Sequence, residues 1–123
     1  MGILSSVAKG ITKISRKVTS FEVVKNIAPN EVGVYIMSLN GKVMYVGRAI
    51  ENRQNQTPKG LRKRLQEHWR GAANGKPELF SYRDQLTVSL KVCKTVEDAK
   101  QLESRLIRQH DTVENGWNLR YES

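Results

Sequence analysis

The chain has 123 residues, enough for one domain with a single core. Its 21 Lys and Arg against 12 Asp and Glu give a formal charge of +9, so a polyanion is the expected partner, although a merely soluble basic protein would share this composition. A single cysteine, Cys93, excludes an internal disulfide or a multi-cysteine zinc site and fits a reducing, cytoplasmic location, nucleoid-associated if the source is bacterial. We expect no membrane span and no signal peptide, because no apolar run is long enough for either.

The first residues differ in pattern from the rest of the chain. Apolar side chains recur there at helical spacing between lysines and an arginine: Ile3, Val7, Ile11, Ile14 and Val18. Such a basic amphipathic helix could dock on the domain, lie along nucleic acid or touch an anionic membrane surface. We interpret residues 1–30 as a basic amphipathic extension, with 21–31 as a lead-in, and residues 31–123 as the folded domain.

Two tripeptides on a predicted β-hairpin are the most informative feature. Gly33-Val34-Tyr35 and Tyr45-Val46-Gly47 lie in β-branched and aromatic runs on either side of Asn40-Gly41, a strong signal for a two-residue turn. In the ideal register Leu39 opposes Lys42 and Tyr35 opposes Val46, which puts Tyr35 and Tyr45 on opposite faces. A bulge or another turn length would bring both phenols to one face. Alternatively, both tyrosines are ordinary strand residues that pack a sheet.

A polar loop and a basic helix are predicted next. Residues 48–59 have a loop composition, and Gly60 to Arg70 form a helix with an apolar stripe that includes Leu61 and Leu65. Arg64 and His68 are four residues apart and share a face, where a guanidinium and an imidazole can bind a phosphate or exchange a proton. The alternative is a solvated basic face with a satisfied histidine.

The last predicted elements are a strand and a helix. Residues 86–93 alternate between apolar and polar side chains, and Thr95 begins a helix that runs to about His110. Glu103 lies on or beside the buried stripe of this helix, so if it is buried it needs a cationic partner, for which Arg64 is a candidate, or a metal. In the tail, Asn118 is either a turn amide or a polar site residue.

Taken together, these residues resemble the GIY-YIG endonucleases, named for the two tripeptides. The resemblance runs in order over roughly residues 31–119. Arg64 stands where the family has its characteristic arginine, Glu103 at the position of its metal-binding glutamate, and Asn118 at that of its closing asparagine. His68 falls where some homing endonucleases of the family carry histidine, and Arg48 where repair endonucleases often have lysine.

The resemblance implies an α+β fold with a small antiparallel three-stranded sheet flanked by helices. We expect the helices that carry Arg64 and Glu103 to cover one face of this sheet and to leave the other face available to DNA.

The resemblance also implies a divalent-metal-dependent endonuclease that hydrolyses DNA phosphodiester bonds with an activated water. Glu103 would hold Mg²⁺ or Mn²⁺, and Arg64 would bind the phosphate. Tyr35 is the first choice for the general base and Tyr45 the second, which requires a lowered phenol pKa, and His68 could serve as base or phosphate ligand. The expected substrate-binding residues are Arg48, Arg62, Lys63 and Asn118. A non-catalytic nucleic-acid-binding module on the same scaffold is the alternative, and a membrane-surface protein ranks behind both.

Overall fold

A computed structural model describes residues 20–51, 55, 57–72 and 76–120. The basic segment predicted for residues 1–20 therefore falls, except for Ser20, outside the described residues. Within the described part of the chain, no helix combines the length and the apolar character that crossing a membrane requires.

Three strands and five helices make up the described fold. In chain order they are α1 (Phe21–Ile27), β1 (Gly33–Leu39), β2 (Lys42–Ala49), α2 (Gly60–Arg70), α3 (Pro77–Ser81), β3 (Leu86–Val92), α4 (Val96–His110) and α5 (Thr112–Asn115). The strands form one antiparallel sheet in the order β2-β1-β3. The predicted three strands and two long helices are confirmed, whereas the three short helices were not predicted. α1 lies in the predicted lead-in, and its Phe21 and Val24 are buried in the core.

The hairpin contains a bulge that changes the predicted register. Asn40 and Gly41 form the turn with positive φ, and Leu39 pairs with Lys42 as expected. The register then shifts between Met37 and Ser38, because Ser38 pairs with Val43 and Met37 with Tyr45, which leaves Met44 as the additional residue.

Beyond the bulge, Tyr35 pairs with Gly47, two residues along each strand from the Met37–Tyr45 pair. Side chains two residues apart share a face, so Tyr35 and Tyr45 lie on the same side of the sheet. The ideal register, with the two phenols on opposite faces, is wrong.

Helices cover both faces of the sheet. One face carries Tyr35 and Met37 and packs in a cluster with Phe21 of α1 and Leu61 of α2. The opposite face carries Val34 and Val46, which pack against Ala99 and Ile107 of α4. The expectation that one face stays open to DNA is therefore wrong, because the two long helices lie on opposite sides and each buries its own apolar stripe.

The first turn of α2 packs against residues 28–31. Gly60 has a φ of +57°, and a Cβ there would overlap the backbone of Glu31. The amide groups of Leu61 and Arg62 donate to the carbonyl oxygens of Glu31 and Pro29, which satisfies donors that have no partner within the helix. This contact fixes α2, and hence Arg64 and His68, against the start of β1.

Candidate active site

A cavity of about 380 Å³ opens beside β2, between α2 and α4. Tyr35 reaches it from β1, Tyr45 and Arg48 from β2, Arg64 from α2 and Glu103 from α4. The structure thus brings together around one cavity the phenols, the guanidinium and the carboxylate that the sequence analysis selected from distant segments.

Gly47 makes room for the Tyr35 phenol. A Cβ at Gly47 would overlap the terminal ring carbon and the hydroxyl oxygen of Tyr35. The ring of Tyr35 therefore passes directly beside the β2 backbone, and any other residue at position 47 would displace the phenol. This close approach explains why a glycine stands opposite Tyr35 in the second tripeptide.

The hydroxyl of Tyr35 is hydrogen-bonded to His68. The oxygen lies 2.8 Å from Nε2 of His68, which is only 1% exposed. The Tyr45 ring packs against both, with ring centroids 6.1 Å from each. Nδ1 of His68 is buried and has no hydrogen-bond partner among the described residues. His68 lies behind Tyr35 and does not line the cavity.

Burial sets the protonation of these three rings. It raises the pKa of Tyr35 well above 10, reinforced by Tyr45 and only partly opposed by the Arg64 guanidinium. Burial likewise raises the pKa of Tyr45, against the lowering effect of Arg64. It lowers the pKa of His68 to about 3, helped by the positive charges of Arg64 and Lys76. The predicted lowering of the phenol pKa is thus reversed here, because desolvation outweighs the nearby cations.

Each cation that lines the cavity in the described residues has an acidic partner. Nη1 of Arg48 lies 2.7 Å from Oε1 of Glu103. The other two pairs are Lys63–Glu51 at 2.6 Å and Arg64–Glu67 at 3.1 Å. The prediction of Arg64 as a candidate partner for Glu103 is wrong, because Arg64 pairs with Glu67 within its own helix. Arg48 points to the face that α4 covers and pairs with Glu103 instead.

Two of the predicted substrate-binding residues lie outside the cavity. The Arg62 guanidinium donates through Nε to the carbonyl oxygen of Ala28, 2.7 Å away. The Asn118 side chain is buried: Nδ2 donates to the carbonyl oxygen of Val46, and Oδ1 accepts from the Val46 amide and the Thr112 hydroxyl. Arg62 therefore fastens α2 to the segment after α1, and Asn118 fastens the tail to β2. Arg48 and Lys63 do line the cavity.

Lys76 contacts the site but was not predicted from the sequence. Its Nζ lies 5.2 Å from the centroid of the Tyr45 ring and 3.4 Å from the Trp117 carbonyl oxygen. It stands in the segment between α2 and α3, where no periodicity marks a lysine for a particular face. Glu51 and Glu67 were missed as well, and only the three-residue spacing of Glu67 from Arg64 could have indicated a pair.

Comparison with known families decides the classification. A family model described as the GIY-YIG catalytic domain matches residues 31–118. The chain belongs to the GIY-YIG family. A comparison with curated protein sequences found no significant match.

Solved structures of the GIY-YIG fold resemble this chain. The GIY-YIG N-terminal endonuclease domain of UvrC from Thermotoga maritima, as a tyrosine-to-phenylalanine mutant bound to its catalytic divalent cation, gives a TM-score of 0.61 at 25% identity, covering 81% of this chain and 96% of that one. The same domain bound to magnesium gives 0.57 at 25% identity, covering 74% and 90%. An asparagine-to-alanine mutant gives 0.56 at 25% identity, covering 74% and 89%. These matches confirm the predicted three-stranded GIY-YIG fold.

The residues around the cavity fit a single magnesium-type ion. Glu103 presents its carboxylate there, although the residue is only 4% exposed. No group of three or more His, Cys, Asp or Glu residues clusters as a metal site within the described ranges. Mg²⁺ is commonly held by one or two carboxylates, with water and substrate phosphate as its other ligands. Glu51, Glu67 and Glu103 all line the cavity, and these oxygen donors suit Mg²⁺ better than they suit a structural zinc site.

Proposed function

We propose that the protein is a metal-dependent endonuclease that hydrolyses DNA phosphodiester bonds with an activated water. The observation that carries the proposal is the convergence of Tyr35, Arg64 and Glu103 on one cavity, although they come from β1, α2 and α4. Membership of a nuclease family and the net charge of +9 support a nucleic-acid substrate.

Glu103 is the proposed metal ligand. Mg²⁺ or Mn²⁺, when bound there, supplies positive charge that polarises the scissile phosphate and stabilises the leaving oxygen. The magnesium-bound Thermotoga domain supports this choice of ion, since it shares the fold. The position of Glu103 on a long, well-packed helix holds its carboxylate at the cavity wall.

Arg64 is the proposed phosphate-binding residue. It lines the cavity from α2, and its pair with Glu67 at 3.1 Å orients the guanidinium towards that space. A guanidinium offers a fixed fork of donors that matches phosphate oxygens, and it stabilises the charge that grows on them in the transition state. Lys63 and Arg48 line the same cavity and add positive charge for the DNA backbone.

Tyr35 is the group that we assign to orient the attacking water. With the pKa of Tyr35 raised and that of His68 lowered, the phenol stays protonated and the imidazole neutral at neutral pH. In our assignment the phenol donates to Nε2 of His68, and its oxygen, on which the Arg64 guanidinium also acts, accepts a hydrogen bond from water. Because burial keeps the Tyr35 and Tyr45 phenols protonated, we assign Tyr35 first and Tyr45 second to positioning the water, and neither to removing its proton. His68 positions Tyr35 and does not contact phosphate.

Nicking of supercoiled plasmid with and without Mg²⁺ or Mn²⁺ tests the proposal. We expect metal-dependent nicking by the wild type and its loss in Glu103→Gln and Arg64→Ala, with DNA binding largely retained in both. Glu97→Gln and Arg70→Ala are matched controls, because both residues are exposed on the same two helices. Unchanged nicking in either cavity variant would refute the residue assignment. Salt-sensitive DNA binding without nicking at any metal concentration would instead favour the non-catalytic binding module.

A further inference from the structure

The Arg48–Glu103 pair occupies the carboxylate that a metal ion would need. Nη1 of Arg48 is 2.7 Å from Oε1 of Glu103, and the two side chains are only 19% and 5% exposed. At this depth an ion pair is weakly screened by solvent. A divalent cation that approaches Glu103 therefore meets both a carboxylate oxygen already engaged and an adjacent positive charge.

Arg48 also has hydrogen-bonding capacity that its present position leaves unused. Its Nε is buried and has no acceptor among the described residues. A buried donor without a partner is unfavourable, so the arrangement of Arg48 on Glu103 satisfies this guanidinium incompletely. A phosphate group offers several acceptor oxygens to the same side chain, and guanidinium pairs readily with phosphate through two donors at once.

We propose that Arg48 exchanges partners during the reaction cycle, pairing with Glu103 in the free protein and with a DNA phosphate when Glu103 binds the metal. This inference rests on the proposed function, and it adds that metal and DNA bind interdependently. DNA gives Arg48 a new acceptor and so releases Glu103, while a metal on Glu103 repels Arg48 towards the phosphate. By thermodynamic linkage, each ligand then tightens the other by the same factor.

The pair Lys63–Glu51 provides a matched control in the same cavity. Lys63 also lines the cavity and also has an acidic partner, at 2.6 Å, but that partner is not Glu103. Arg48→Gln and Lys63→Gln remove one positive charge each from the same space. Both changes weaken DNA binding by loss of a cation, whereas only Arg48→Gln removes the ion pair with Glu103.

The experiment measures Mg²⁺ binding by titration calorimetry at pH 8, without DNA and with a short duplex present. We expect Arg48→Gln to bind Mg²⁺ about ten-fold more tightly than the wild type without DNA, and Lys63→Gln to differ by less than about three-fold. In the wild type, DNA should tighten Mg²⁺ binding by more than it does in Arg48→Gln, by about ten-fold, because the variant keeps only the coupling that comes from phosphate coordination to the ion. Calcium can replace magnesium in the DNA arm if cleavage is fast.

A second measurement uses the wild-type protein, so it does not depend on whether Arg48→Gln folds correctly. The arginine Nε–H resonances in a ¹H–¹⁵N spectrum report the surroundings of each guanidinium, and the signal missing in Arg48→Lys identifies Arg48. We expect this signal to shift when Mg²⁺ and DNA are added together.

The outcomes separate this inference from the proposed function. Equal Mg²⁺ affinities in Arg48→Gln and Lys63→Gln, or an Arg48 signal unmoved by both ligands, would overturn the exchange of partners while metal-dependent nicking by the wild type still stands. Absence of both Mg²⁺ binding and nicking in the wild type would overturn the proposed function itself.

Discussion

The hydroxyl oxygen of Tyr35 lies 2.8 Å from Nε2 of His68, although the two residues are 33 positions apart in the chain. The bond joins the central strand to α2 inside the core, beside the cavity. It fixes the direction of the phenol that we assign to the attacking water. The same bond gives the buried Nε2 of His68 a hydrogen-bond partner.

Replacement of Tyr35 by phenylalanine tests this bond. We expect Tyr35→Phe to lower the free energy of unfolding by about 1–3 kcal/mol, because Nε2 of His68 is left buried without a partner. Metal-dependent nicking should be lost as well. Urea denaturation measures the first effect, with Tyr82→Phe as the control, since Tyr82 is exposed and should change stability by less than about 0.5 kcal/mol. An undiminished free energy of unfolding in Tyr35→Phe would contradict the structural role of the bond.

Stability should depend on pH through His68. Its pKa is about 3 in the folded protein and near 6.5 in an unfolded chain, so between these values the unfolded chain binds the proton more readily. This contribution to stability is complete above about pH 6.5 and is lost as the pH falls towards 3. From pH 6.5 to 5 the loss should approach about 2 kcal/mol.

The comparison of variants isolates the histidine from carboxylates that titrate in the same range. Unfolding is followed at each pH for the wild type, His68→Gln and His110→Gln. We expect the pH dependence between 6.5 and 5 to be reduced only in His68→Gln. An equal reduction in both variants would show that the burial of His68 is not its cause.

Gly47→Ala should displace the Tyr35 ring. The added Cβ overlaps atoms of that ring, so we expect a loss of about 1–3 kcal/mol in unfolding free energy, together with loss of nicking. A double-mutant cycle with Tyr35→Leu checks the cause, because leucine lacks the terminal ring atoms that the Cβ meets. Gly47→Ala should be nearly neutral for stability in the Tyr35→Leu background. If the free-energy losses of Gly47→Ala and Tyr35→Leu simply add in the double mutant, contact with the Tyr35 ring is not the cause of the strain.

Asn118→Ala should act on stability. It leaves the Val46 amide, the Val46 carbonyl and the Thr112 hydroxyl short of a partner in a buried region, so we expect a loss of about 2–4 kcal/mol. Asn115→Ala is the control, because Asn115 is exposed and bonds only Asp111 among the described residues, and it should lose less than about 1 kcal/mol. Thermal or urea unfolding distinguishes the two variants. Weaker DNA binding by Asn118→Ala with unchanged stability would restore the residue to the substrate site.

Local patterns in the sequence predicted the elements that depend on local physics. The Asn40-Gly41 turn, the apolar stripe of α2 and the Thr95 cap of α4 all appear as expected, with the Thr95 hydroxyl accepting from the Asp98 amide at 3.0 Å. The resemblance to the GIY-YIG family selected Glu103 and Arg64, and both residues line one cavity. α1 was missed because seven residues carry little periodic signal.

The bulge at Met44 could not be predicted from such local patterns, because Met44 is hydrogen-bonded to a distant segment of the chain. The Trp117 amide donates a hydrogen bond of 2.6 Å to the Met44 carbonyl oxygen, and the two residues are 73 positions apart in the sequence. The shift that follows puts both phenols on one face and pairs Arg48 with Val34, on the face that α4 covers. The register, and with it the partner of Glu103, thus goes together with a contact to a distant part of the chain. The pKa directions depended on burial, which the sequence does not give.

The side chain of Asn118 does for Val46 what a peptide group of a fourth strand would do. Its amide supplies a donor and an acceptor to the outer rim of β2, each at 2.9 Å, and the Trp117 amide serves Met44 in the same manner. A rim sealed in this way has no free ladder groups at Val46 for a neighbouring molecule to extend. Detachment of the tail would expose these groups, and β2 would then offer an open edge for strand pairing with a second copy of the chain.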